Sequence, residues 1–128
     1  MVAAMSPALC DDDYVFCTSA TPVALARASD VALATFREDE GTTLVLTAED
    51  ASALGFDAGL PMKRIVLTVH SALDGIGLTA AVSTALAAAG IACNVIAAYH
   101  HDHIFVPSAD GQRALAILVA LQGEAAAG

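Results

Sequence analysis

Two stretches of this sequence hold groups that could do chemistry. The first is Ser71, Ala72, Leu73, Asp74, Gly75, Ile76 and Gly77. It follows an alternating β-branched run and precedes an apolar repeat of helical period, so it ends a strand and opens a helix. The free amides of a helix start, with the positive end of the helix dipole, suit a carboxylate. Gly75 and Gly77 let a ligand approach that backbone closely, and Asp74 is placed to meet an ammonium group. The plainer alternative is a tight turn that uses glycine for geometry alone.

The second stretch is His100, His101, Asp102 and His103, to which His70 may be added by residue type. Imidazole and carboxylate are zinc ligands. Three histidines in one tight turn point different ways, however, and no second ligand pair accompanies them. The sequence therefore predicts a polar hairpin turn with partly exposed histidines and no metal. A metal-dependent enzyme built on this turn is kept as the outside alternative. Asp102 beside histidine would suit acid–base work, but Ser71 and Cys93 belong to no recognisable nucleophile motif. Walker and dinucleotide glycine patterns are absent. No cofactor and no catalysis are expected. The runs Asp11-Asp12-Asp13 and Glu38-Asp39-Glu40 read as solvated turns.

The elements that would position the glycine loop are legible on both sides. Ile65, Leu67 and Val69 alternate with Val66, Thr68 and His70, a strand pattern over 64–70. Leu78, Val82 and Leu86 recur every fourth residue and predict a helix over 78–89, which Gly90 can end in the left-handed conformation. Residues 91–99 read as a second strand, 100–103 as a turn and 104–106 as a third strand. Ser108 is the expected N-cap of a last helix that buries Ala114, Leu115, Leu118, Val119 and Leu121. Residues 2–9 read as a brief helix or a loose start. Strands are expected over 14–18, 31–37 and 42–46, with one loose helical turn within 19–30. Thr47 caps a helix that ends at Gly55. The strand, turn, strand and capped helix ending at Leu54 recur at a constant offset of 61 residues, ending at Leu115. That repeat suggests two related halves, the first degraded because 19–30 lacks the loop glycines.

Residues 64–106 resemble an ACT domain, the small βαββαβ regulatory module. The matching residues are Leu73-Asp74-Gly75-Ile76-Gly77, then Val82 and Leu86, then Ala89-Gly90-Ile91-Ala92-Cys93-Asn94-Val95. The longer string from Leu67 to Pro107 is similar to a family of small bacterial ACT-like proteins of unassigned function, and Tyr14 to Thr18 and Ala34 to Arg37 extend it. The resemblance implies a ferredoxin-like α/β fold (an α+β sandwich), with helices on one face of antiparallel sheets. It implies a degenerate ACT-like half over 1–60, a second over 61–122 and a flexible tail over 123–128. It also implies a regulatory module that binds a small molecule of the amino-acid class at Leu73, Asp74, Gly75, Ile76, Gly77, Leu78 and Asn94. ACT modules generally pair, so a homodimer is expected, with the loop near its junction. The alternative is a protein–protein interaction module with no ligand.

Composition bounds the rest. With 128 residues, 57% of them hydrophobic, the chain can bury a core and is not disordered. A formal charge of −9 argues against nucleic acid and anionic membrane as partners. The uncharged stretch 75–99 is long enough to span a bilayer, but it is alanine-rich and changes from helical to strand-like at Gly90, which argues against a span. Cys10, Cys17 and Cys93 form no C-x-x-C pair, and with no signal-peptide pattern before them they point to the cytoplasm.

Overall fold

A computed structural model describes residues 2–57, 59–68 and 77–127. The chain divides into two compact units, one of Met1–Asp11 with Met62–Gly128 and the other Asp12–Pro61.

In Asp12–Pro61, β1 (Ala8–Ser19, entering from the other unit), β2 (Ala34–Arg37) and β3 (Thr42–Thr47) lie in the order β2-β3-β1, antiparallel throughout. Helix α1 (Pro22–Ala28) follows β1 and α2 (Ala48–Ala53) follows β3. Strand alternation sends Val15 and Cys17 of β1 and Leu44 and Leu46 of β3 to one face. There they form a core with Ala28 of α1 and Ala51 of α2. Glu38 and Gly41 close the β2–β3 hairpin through backbone bonds of 3.0 and 3.4 Å, the expected turn.

The other unit holds β4 (Met62–Thr68), α3 (Leu78–Ala88), β5 (Asn94–Ala97), β6 (His101–Pro107) and α4 (Gly111–Ala127). The strand order is β5-β6-β4 and then β1, whose residues 8–11 belong to this unit. Both registered pairs are antiparallel, with Ile65 opposite Ile104 and Ile104 opposite Val95. These residues, with Leu67 and Val106, face Leu78, Val82 and Leu86 of α3 and Ala114 and Leu118 of α4. The α3 stripe read from the sequence is therefore the buried face of that helix. Each unit is thus an antiparallel sheet with helices on one face, a ferredoxin-like α/β arrangement.

Several elements differ from expectation. Asp11, Asp12 and Asp13 are not in a turn but inside β1, a strand of 12 residues. Strands tolerate such a run where side chains reach water, and Asp11 and Asp12 are exposed. The N-terminal segment forms only a 3-10 turn at Val2–Ala4, yet Met5 is fully buried in the core, and its carbonyl accepts from Thr68 N at 2.7 Å. Residues 22–28 form seven helical residues with Pro22 at the first turn, more than one loose turn. Ser108, the expected N-cap, is the first residue of a 3-10 turn rather than the residue just before α4. Residues Ser108–Asp110 form a 3-10 turn without a side-chain cap, and α4 begins at Gly111. Of the residues expected on its buried side, Val119 is 53% exposed. The helix continues to Ala127.

Candidate functional site

Of the loop 71–77, residues 71–76 lie outside the described residues, as does His70. Gly77 is described and sits at the N-cap of α3 with φ +101°, a left-handed conformation that a residue with Cβ rarely adopts. Its carbonyl accepts the first intrahelical bond, from Ala81 N at 2.9 Å. The amides of Leu78, Thr79 and Ala80 precede that first bond, and no side chain caps them at Gly77. Leu78 is 5% exposed and packed in the core, so only its backbone can face a ligand. Asn94, opposite Phe105 at the start of β5, places its Nδ2 3.9 Å from Met62 Sδ. Alternation puts both on the sheet face opposite the one that α3 covers. The structure thus joins Gly77 and Leu78 at one helix start and turns the Asn94 side chain to the other face.

The histidines are not gathered in a turn. The turn lies over 98–100, and His101, Asp102 and His103 are consecutive residues of β6. Consecutive strand residues alternate, so Asp102 points to the helix-covered face while His101 and His103 share the other. The rings of His101 and His103 are 6.5 Å apart, edge to face. Among the described residues, no three His, Cys, Asp or Glu side chains are grouped to hold a metal.

The neighbour of His103 is not visible in the sequence. Arg64 Nη1 lies 3.4 Å from His103 Nδ1. A guanidinium only donates, so Nδ1 accepts and the ring carries its proton on Nε2. Burial first, then the charges of Arg64 and His101, hold His103 below the ordinary histidine pKa, against a smaller pull from Asp102. Asp102 is 7% exposed, and burial pushes its carboxyl above the ordinary value, with His103 pulling the other way. The signal lay in β4–β6 pairing. Val66 is opposite His103 and Arg64 opposite Phe105, a register that the sequence does not disclose.

Two units of strand–helix–strand–strand–helix order, each with helices on one sheet face, define a small ferredoxin-like α/β protein. The chain belongs to the ACT-domain family: ACT-domain models match residues 1–63 and 62–120. ACT domains are typically ligand-binding regulatory modules. A Vibrio cholerae protein of unknown function, described as a possible transport protein, is 46% identical, with TM-score 0.84 over 95% of this chain and 93% of that one. The ligand-free regulatory subunit of aspartate kinase from Thermus thermophilus shares the fold at 12% identity and TM-score 0.65, over 92% of this chain and 98% of that one. Escherichia coli aspartokinase III, solved with aspartate and ADP, matches at 12% identity and TM-score 0.68, over 92% of this chain and 33% of that one. No curated protein matches the sequence. Among the described residues, no helix is long and apolar enough to cross a membrane.

Proposed function

We propose that this protein is a regulatory module that binds a small molecule of the amino-acid class and carries out no catalysis. The ligand contacts are the loop residues Leu73, Asp74, Gly75, Ile76 and Gly77 and the Leu78 backbone, while Asn94, on the other sheet face, is left out of this site. The observation that carries this reading is the start of α3, where a left-handed Gly77 opens the helix without a side-chain cap. Such a start suits a ligand carboxylate. The ACT-domain match over residues 62–120 supports the same reading, and the aspartate in the E. coli kinase structure makes aspartate the first amino acid to test. The free state of Cys10, Cys17 and Cys93 supports a reducing, cytoplasmic setting. The protein works as a homodimer in this reading.

A thermal-shift and calorimetric screen of the twenty amino acids tests the proposal. A true ligand at 100 times its Kd adds about 2.7 kcal/mol to stability. If no amino acid stabilises the protein at millimolar concentration, the reading fails. Gly77→Val separates binding from folding. A Cβ at Gly77 meets no described atom within 4 Å, so the cost the structure shows is that of the left-handed backbone, roughly 1–2 kcal/mol. Ligand heat should vanish from protein that still unfolds cooperatively.

A further inference from the structure

The unit Asp12–Pro61 contains two adjoining open cavities. One, of about 190 Å³, is lined by Val15, Ala48, Ala51, Ser52, Gly55 and Phe56. The other, of about 430 Å³, shares Gly55 and Phe56 and adds Phe16, Cys17, Thr18, Ser19 and Asp57. The larger falls within the roughly 300–1,000 Å³ range of small-molecule sites. Their chemistry differs along their length. The smaller is mostly apolar, with Ser52 its one polar residue. The larger adds the polar residues Thr18, Ser19 and Asp57 to its lining.

Charge gives the polarity of the occupant. No lysine, arginine or histidine lines either cavity among the described residues, and Asp57 is the single formal charge. The smaller cavity runs along α2, from Ala48 to Ser52, and Gly55 and Phe56, shared by both, follow that helix. Phe56, common to both, can present an aromatic face to a cation. An anion or a carboxylate finds no cationic partner here. A neutral apolar molecule would leave the Asp57 end unused.

We propose that the cavities over Gly55 and Phe56 form a second small-molecule site, which takes an amphipathic organic cation with its ammonium group at Asp57 and its apolar body against Val15, Ala51 and Phe56. This site is independent of the amino-acid site at α3. It excludes a free carboxylate, whereas the α3 loop requires one.

The test is an amide-resolved NMR titration of the full chain with three isosteric probes: isoamylamine, isoamyl alcohol and isovalerate. The amine should shift the amides of Cys17 to Ser19 and Gly55 to Asp57 saturably. The alcohol should bind about three- to fivefold more weakly, the worth of one exposed ion pair, and isovalerate should leave these amides unmoved. Asp57→Asn should bring the amine down to the alcohol's affinity. Asp57 is exposed, so that variant should keep the wild-type melting temperature. Asp30→Asn, an exposed acid in the same unit, should leave amine binding as it was and so excludes a general attraction to an acidic protein. Equal binding of amine and alcohol overturns the proposal. So does the absence of saturable shifts at these amides, or amine affinity untouched by Asp57→Asn. None of these outcomes bears on whether an amino acid binds at α3.

Discussion

His103 shows how burial and a neighbouring charge together set the response of a residue to pH. It accepts from Arg64 through Nδ1, so protonation would bring a second positive group against the guanidinium. Its pKa in the folded chain is below that of the unfolded chain, about 6.5. The unfolded chain then takes up the proton first. Stability contributed by neutral His103 is present above the unfolded value and is lost as pH falls through it, until the folded value is passed. Asp102 acts oppositely in a more acidic window. Its pKa is raised by burial, so the folded chain holds the proton more tightly, and stability is recovered on acidification below that raised value. The expected outcome is a lower urea midpoint at pH 5.5 than at pH 7.5, with a smaller drop in His103→Gln. An identical drop in the variant would assign the pH dependence to other groups. The residue types were legible in the sequence, but their partners were not. Alternation follows from the chain alone, whereas the facing of Arg64 and His103 needs the β4–β6 register.

At the scale of elements, helix starts separate what local sequence can specify from what it cannot. Thr47 is legible as an N-cap, and its Oγ1 accepts from Asp50 N at 3.1 Å at the start of α2. Ser108, at the equivalent place in the repeat, begins a 3-10 turn, and α4 starts only at Gly111. The two positions look alike in sequence; packing of the following segment decides between them. Gly111 shows that packing directly, since a Cβ there would stand 2.8 Å from Lys63 Cγ. Thr47→Ala should lower stability by about 1 kcal/mol in urea denaturation, and Thr47→Ser should restore most of it. The α3 stripe was legible because Leu78, Val82 and Leu86 need only helical period to share a face. The aspartates of β1 look like a turn by charge alone, yet they lie within a strand. The apolar inward residues on either side, Leu9 on one and Val15 and Cys17 on the other, carry the strand through them.

At the scale of the molecule, the homodimer expectation rests on edges. β2 ends the strand order of its unit and β5 ends the order of the other. β2 carries Phe36 at 71% exposure, and Val31 and Leu33 just before it are 47% and 41% exposed. Apolar edge strands are uncommon on monomers, where charge or proline usually blocks further pairing. Here Arg37 is the sole charge within β2. Antiparallel pairing of β2 with its copy about a two-fold axis would bury Phe36 from both chains and satisfy both edges in one isologous contact. The expected light-scattering mass at micromolar concentration is therefore twice the 12.9 kDa of one chain. Phe36→Lys places a charge on that edge without touching a core side chain, so it should halve the mass while the melting transition stays cooperative. A wild-type mass of one chain, unchanged by any amino acid, refutes the dimer. A dimer that persists in Phe36→Lys moves the contact away from β2, with the β5 edge the next place to charge.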